Sequence, residues 1–529
     1  LTRIVVDPVS RIEGHMGVTV EVDDTTNLVT SAKCSAVMFR GFETIVLGRD
    51  PRDCAPILSA ICGVCHSDHH INSVRAIENA AGMTSYPGGY AFEQTTIPKN
   101  AVLSRNIIQG ADWSYSHAAH LLALAGPDYE LYDLLQVLSQ SVLITSYADL
   151  LKFAVIPAQA YMHQLITLWG GKTPHQRASI PGGNPVRPTS DVIEQSIFKV
   201  SSLRTILDDV VPVVWNFLTA DAARLGSLGP GPGNFISLGA FPDPTTANGI
   251  TKMPLVLPRG VITSPGTTPS PFDPAQMTET IPYSWYDQAL SSDVIGEVTP
   301  KPDMSNPDAY SWSKSPRYQG NPMESGPLAR EYISGIYPKL GQIINGIVPS
   351  VPGLPLNPNG SVFDRLVCRA LELVVLIGSN NTTQNLMVLG QPLNLSLVDV
   401  LNALNLPTVG LIQTWLNAMD VNSPSCTSYN NPTSGQGIGL WEAPRGSLLH
   451  WISIGAGKVD NYQVVAPTTW NVSPAGPLEG ALVGTPIGTT GTNSDLRQAA
   501  WVVRSFDLCL ACTVHTIDAK GNKRYLRAG

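Results

Sequence analysis

The strongest constraint on the fold is a pair of Cys-x-x-Cys motifs near opposite ends of the chain, Cys62-Gly63-Val64-Cys65 and Cys509-Leu510-Ala511-Cys512, whose first members are 447 positions apart. Each motif places two sulfurs close enough to chelate one ion, and four soft thiolates together suit zinc, iron–sulfur clusters or another thiophilic metal. Two pairs so far apart can meet only if the fold brings both ends of the chain together. A zinc knuckle usually separates its pairs by a loop of about 12–20 residues, and neither motif lies in the strand-to-helix context of a dithiol redox site. Spacing alone leaves a structural zinc site and a redox metal site equally open. Cys34, Cys54, Cys368 and Cys426 stand alone and are expected to be small buried apolar side chains.

Composition narrows the class. Of 529 residues, 43 % are hydrophobic and only 14 % charged, against about 25 % charged in an average globular protein. The apolar content excludes disorder, and eight cysteines over this length exclude a disulfide scaffold. No run of apolar residues is long enough to span a membrane, and the visible start carries no signal-peptide pattern. A net charge of −8 without a basic cluster argues against a nucleic-acid partner. The shortage of charge predicts an exterior largely covered by another protein.

Residues 1–40 alternate apolar and polar at Ile4, Val6, Val18, Val20, Val22, Val37 and Phe39, which predicts a small antiparallel sheet. Region 41–225 has helical patterning and holds the first motif, with two long helices over about 100–164 separated by Ala125-Gly126-Pro127 and another from Asp191 to about Ala223. Region 226–325 is rich in Gly, Pro, Ser and Thr and predicts an irregular lobe with strands, in which Tyr283, Trp285, Tyr310 and Trp312 need burial. Helical patterning returns in 326–420, and 421–529 carries strands, turns and the second motif. The expected fold class is α+β, a large central helical bundle with small peripheral β-sheets.

The neighbours of the cysteines decide between the metal readings. Arg11-Ile12-Glu13-Gly14-His15 resembles the N-terminal RxEGH motif of nickel-iron hydrogenase large subunits, Ile61-Cys62-Gly63-Val64-Cys65 their first cysteine motif, and Asp507-Leu508-Cys509 through Cys512 to His515 their C-terminal DPCxxCxxH. Arg40-Gly41-Phe42-Glu43, Gly170 to His175, Pro316-Arg317-Tyr318, Glu442-Ala443-Pro444-Arg445-Gly446 and Asn461-Tyr462-Gln463 extend the resemblance along the whole chain. The motifs look most like those of the membrane-associated uptake group. Two positions depart from the pattern: Ala60 stands where the family usually has Arg, and Leu508 where it usually has Pro.

The resemblance implies that Cys62, Cys65, Cys509 and Cys512 hold a nickel-iron centre whose iron carries CO and cyanide, with Cys62 and Cys509 terminal on nickel and Cys65 and Cys512 bridging. It implies heterolytic cleavage of H2 to protons and electrons, with Cys509 as immediate proton acceptor, Glu13 as the next carrier and Arg445 as electrostatic stabiliser. His69 would hydrogen-bond a bridging sulfur, Asp128 and Asp507 would hold Arg445, and Pro444 would line the diatomic pocket. A magnesium or similar divalent ion is implied at Glu43, the Val464 carbonyl and His515.

His117 and His120 have a spacing that permits metal binding but packs equally well in a core, and His66 and His70 are expected near the site or at the surface. No cysteines remain for an electron wire, so the resemblance implies an obligate small subunit carrying Fe–S clusters. It further implies a periplasmic or other extracytoplasmic location reached with that partner, a cytoplasmic one staying open, and membrane association only through partners. Removal of the tail Thr516–Gly529 is normal in the family. The rival readings are a structural zinc protein or interaction module stapled by its CxxC pairs, and the quinone-site subunit of respiratory complex I, a relative without the nickel ligands.

Overall fold

The computed structural model describes residues 1–85, 93–94, 96–129, 137–138, 142–244, 253–287, 301–347, 357–382, 386–490 and 493–513. At the N-terminus, β1 (Thr2–Val6), β2 (Met16–Val22) and β3 (Val29–Ala36) form an antiparallel sheet with Ile4 opposite Val20 and Val18 opposite Cys34. The alternation at Val18, Val20 and Val22 turns these valines into the core, as period-2 patterning requires. Val37 and Phe39 fall just beyond β3.

The centre is helical. The helices α1 (His66–Ala80), α2 (Lys99–Ala119), α3 (Ile156–Gly170), α4 (Ser190–Ala220), α5 (Pro327–Ser334), α6 (Val362–Ile377) and α7 (Gly410–Asn417) surround one continuous apolar core that runs from Val9 to Leu510. Helix α2 is buried almost all round, so its polar residues must find partners inside the protein. Asn106 donates to the Pro242 carbonyl at 2.8 Å, and Arg105 forks onto Glu78 at 2.7 and 3.0 Å. Helix α6 is likewise fully buried and starts where the Ser361 side chain accepts from the Asp364 amide.

Asp364 itself is buried and is pushed up to about 7 by that burial, against hydrogen bonds from Ser361 and Tyr337. An unfolded Asp titrates near about 4, so the folded chain keeps a proton that the unfolded chain has lost. This group's contribution to stability is therefore present below about pH 4 and declines as pH rises towards 7. Asp364→Asn should gain on the parent as pH is raised from about 5 to about 8. Urea titrations of both proteins at the two pH values read the difference directly, and an unchanged gap contradicts it.

The 226–325 region is strand-containing among its described residues, with short pairs such as Phe235–Ser237 against Gly260–Ile262. Its aromatics are less covered than expected. Trp285, Tyr310 and Trp312 are half-buried and Tyr283 is exposed, because Trp312 stacks on Phe39 at the rim of the fold, not inside it. Near the C-terminus, β4 (Gly435–Ala443), β5 (Gly446–Gly455) and β6 (Lys458–Val465) form an antiparallel meander laid across α1. Gly439 permits this approach, since a Cβ there would lie 2.3 Å from the Asn72 carbonyl oxygen. The remainder is more helical than expected, with α8 (Pro467–Val472), α9 (Pro477–Leu482) and α10 (Arg497–Ser505). Pro at the first turn of α8 and α9 starts a helix as readily as it ends one.

Candidate metal centre

Each cysteine motif is delivered by a helix start or a turn. Cys65 is the N-cap of α1, and a short helical turn over 59–61 presents Cys62. At the other end, Asp507 adopts a left-handed conformation (φ 53) that turns the chain inward ahead of Cys509. The segment around Glu13 pairs with this turn: Glu13 N donates to the Leu508 carbonyl at 3.2 Å and Leu510 N to the Glu13 carbonyl at 2.8 Å. Gly14 makes the pairing possible, since its φ is +80 and a Cβ there would meet Leu510 Cβ at 2.9 Å.

The result is convergence of four buried sulfurs. One sulfur atom from each of Cys62, Cys65, Cys509 and Cys512 lies within 4.8 Å of the others. Cys62 and Cys509 are 3.2 Å apart, Cys65 and Cys512 3.1 Å, and Cys509 and Cys512 3.1 Å. These separations are far longer than a disulfide of about 2.05 Å and suit shared coordination of metal. Hydrogen bonding from Cys509 and then from the other two thiols pulls Cys62 well below the ordinary thiol range, while burial pushes Cys509 and Cys512 up. A donor set of four soft sulfurs, buried and mutually repelling once ionised, fits a thiophilic cation.

Glu13 reaches this cluster directly. Cys509 Sγ lies 2.9 Å from Glu13 Oε2, and Ala511 N donates to the same oxygen at 3.3 Å. Burial, then the charge of Cys62, pushes the Glu13 carboxyl up against the Cys509 hydrogen bond. Arg11 is not its partner, because that guanidinium pairs with Asp128. Cys509 N donates to Thr468 Oγ1 at 2.9 Å, a residue at the start of α8 that the sequence reading did not single out.

Arg445 sits in the hairpin loop between β4 and β5 and pairs with Asp507 at 3.2 Å. Burial alone would push Asp507 up; Arg445, His120 and Arg369 hold it at about 2. Against the cost of burial, Asp507 and the sulfurs of Cys509, Cys65 and Cys62 keep Arg445 firmly charged. The expectation that Asp128 also holds Arg445 is corrected. The turn Gly126–Tyr129 aims Asp128 at Arg504, at 2.6 and 2.8 Å, and at Arg11, so both its oxygens are committed elsewhere. Pro444 is buried in the same hairpin loop as Arg445, its carbonyl accepting from Arg330 at 3.0 Å.

His69 Nε2 lies 3.4 Å from Cys512 Sγ and its Nδ1 3.1 Å from His450 Nε2. Burial lowers it to about 4, so the ring is neutral near pH 7. His66 and His70 are buried rather than at the surface. His117 pairs with Glu372 at 3.0 Å and His120 contacts the Arg504 carbonyl at 2.7 Å, so this pair serves packing. Glu43 accepts from Val464 N at 2.8 Å and pairs with Lys314, which also holds Glu279 at 2.6 Å. Two buried carboxylates against one ammonium leave net negative charge that fits a further cation. His515 and the tail Thr516–Gly529 lie outside the described residues.

Sequence reasoning gave no role to two buried polar groups. Asp68, one turn after Cys65, accepts at Oδ1 from Trp441 (2.9 Å), Gln109 (3.1 Å) and Trp113 (3.4 Å). Arg330 forks onto Glu372 at 2.7 Å and reaches Glu442 at 2.9 Å, joining the EAPRG loop to α5 and α6.

Comparison with known proteins places this arrangement. The nickel-dependent hydrogenase family matches residues 40–148 and 140–515, and a HoxL-like family matches residues 3–38. The chain belongs to the nickel-dependent hydrogenase family. It is similar to the hydrogenase-1 large chain of Escherichia coli (strain K12), at 30 % identity over 98 % of this chain and 96 % of that one. Similarity to the periplasmic [NiFeSe] hydrogenase large subunit of Desulfomicrobium baculatum is 28 % over 99 % and 97 %. Among solved structures, the Ni-Fe-Se hydrogenase of D. vulgaris Hildenborough in its as-isolated oxidised state superposes with a TM-score of 0.76 at 28 % identity, covering 97 % of this chain and 100 % of that one. The chain is thus the catalytic large subunit of a nickel-iron hydrogenase, and a zinc-stapled interaction module is not favoured.

Proposed function

We propose that this subunit carries out reversible heterolytic cleavage of H2 at a nickel-iron centre held by Cys62, Cys65, Cys509 and Cys512. All four sulfurs would be ligands of that group, and its iron would carry CO and cyanide. The observation that carries this reading is the convergence of four buried sulfurs from opposite ends of the chain with a carboxyl 2.9 Å from one of them. When bound, the nickel-iron group supplies the Lewis acidity and electron-accepting capacity that polarise H2.

The chain's own residues then manage the proton. Cys509 Sγ takes it up, and Glu13 Oε2, within hydrogen-bond reach and with affinity raised by burial, receives it. Arg445 stays protonated and lends a fixed positive charge beside the sulfurs, oriented by Asp507. Pro444 would line the pocket for the diatomic ligands, and His69 Nε2 stands 3.4 Å from the Cys512 sulfur, within reach of a hydrogen bond. Glu43 and the Val464 carbonyl, with His515, are assigned to a magnesium ion.

Electrons leave to the Fe–S clusters of a small subunit, because the unpaired cysteines are scattered and three of the four are buried. The complex is placed on the extracytoplasmic side of the membrane through that partner; no described helix is long and apolar enough to cross a membrane. The test is infrared spectroscopy and metal analysis of the purified complex. CO and cyanide stretches with nickel and iron are expected, and a single zinc without such bands overturns the assignment.

A further inference from the structure

Behind the sulfur cluster runs a single file of buried polar groups. His69 Nε2 stands 3.4 Å from Cys512 Sγ, and His69 Nδ1 3.1 Å from His450 Nε2. His450 Nδ1 stands 2.8 Å from the Tyr462 hydroxyl, which lies 3.0 Å from Ser73 Oγ. The members come from three elements, α1 (His69, Ser73), β5 (His450) and β6 (Tyr462), and all four side chains are buried. Among the described residues the file reaches as far as Ser73, which is 0 % exposed.

A neutral imidazole has one N–H donor and one bare acceptor nitrogen, and a hydroxyl has one hydrogen to give. With these counts, the direction of one hydrogen bond in the file sets the direction of its neighbour. A sulfur bound to metal is a thiolate and can only accept. That forces His69 to donate from Nε2 and accept at Nδ1, His450 to donate from Nε2 and accept at Nδ1, and Tyr462 to donate to His450.

We infer that His450 and Tyr462 are positioning residues that lock the tautomer of His69, so that an N–H and never a lone pair faces the sulfur of Cys512. The inference rests on the nickel-iron reading above. Acceptance at Nδ1 makes the opposite N–H a stronger donor, so the file also strengthens the hydrogen bond that withdraws electron density from this sulfur. Ser73 competes for the one hydrogen that matters: the Tyr462 hydroxyl donates to Ser73 Oγ here, and that hydrogen would turn to His450 Nδ1 when the sulfur holds metal.

The order of the file gives the test its discrimination. In the holoenzyme purified with its small subunit, Tyr462→Phe removes the donor to His450 Nδ1 and releases both rings to the opposite tautomer. His450→Asn keeps a polar group facing Tyr462 and removes the nitrogen facing His69. Both should move the infrared stretch of the iron-bound CO to lower wavenumber at unchanged nickel content, because a thiolate that loses its donor gives more charge to the metal. Ser73→Ala should leave the stretch in place, although it too deletes a buried hydrogen bond of the Tyr462 hydroxyl.

A stretch unmoved in both Tyr462→Phe and His450→Asn, or moved as far by Ser73→Ala, overturns the inference while leaving the nickel-iron reading intact. Absence of CO and cyanide bands in the unmodified enzyme overturns both. If Tyr462→Phe does not assemble, His450→Asn alone decides the matter by the same criterion.

Discussion

Glu13→Gln should slow hydrogen oxidation by about 10²–10⁴-fold, the usual worth of a positioned acid–base group, while nickel and iron contents and the infrared bands stay as in the parent. Gln keeps the volume of Glu and preserves the backbone pairing of residue 13 with Leu508 and Leu510. What it removes is an oxygen 2.9 Å from Cys509 Sγ that can take up a proton. The carboxyl is suited to the task because burial, first among its influences, lifts its affinity for a proton and Cys62 adds to the lift. Turnover with a soluble dye acceptor, set beside metal content, separates a transfer defect from a failed assembly. Turnover within threefold of the parent would remove Glu13 from the proton route.

Arg330→Met should be strongly destabilising. Arg330 is fully buried, shares Glu372 with His117 and holds Glu442, whose other oxygen accepts from Leu238 N at 2.7 Å. The ring of Trp113 lies 4.3 Å from the guanidinium carbon, so no water replaces the lost charge readily. Removing one partner of such a buried pair costs about 3–5 kcal/mol, a large share of the roughly 5–15 kcal/mol that holds a domain folded. The expected outcome is little soluble protein and a urea midpoint well below that of the parent. Adding Glu372→Gln should recover part of the loss, because it removes one of the two stranded carboxylates. A single variant as stable as the parent would mean that the carboxylates have other partners.

Much of the centre was legible because its chemistry is local in sequence. A Cys-x-x-Cys spacing announces two ligands on one turn, and the flanking Glu13, Arg445 and Asp507 lie in short motifs of strongly marked residue types. The structure brings Glu13 to Cys509, Arg445 to Asp507 and His69 to Cys512, each pair far apart in sequence. Asp128 was misjudged for the opposite reason. A lone acid after a helix carries no sign of direction, and a short turn gives it to Arg504 and Arg11. Arg330, Glu372 and Asp68 were given no role because a charge inside helical patterning carries no sign of its burial, whereas α1, α5 and α6 lie deep in the core. The same burial explains the composition: much of the already scarce charge is turned inward. The short helices after residue 466 were hidden by their prolines, which mark a break as readily as a beginning.

The hydrogen-bonded splice between residue 13 and residues 508–510 has a consequence for how the protein is made. At about 5–20 residues per second, a ribosome that has finished the first cysteine motif needs roughly 20–90 s to reach the second. Throughout that interval the nascent chain holds half of a metal site and an unpaired partner strand for a segment that does not yet exist. Cofactor loading must therefore follow synthesis or be escorted by a helper protein, and a message truncated shortly before its end yields an inert chain with an open centre, not a smaller enzyme.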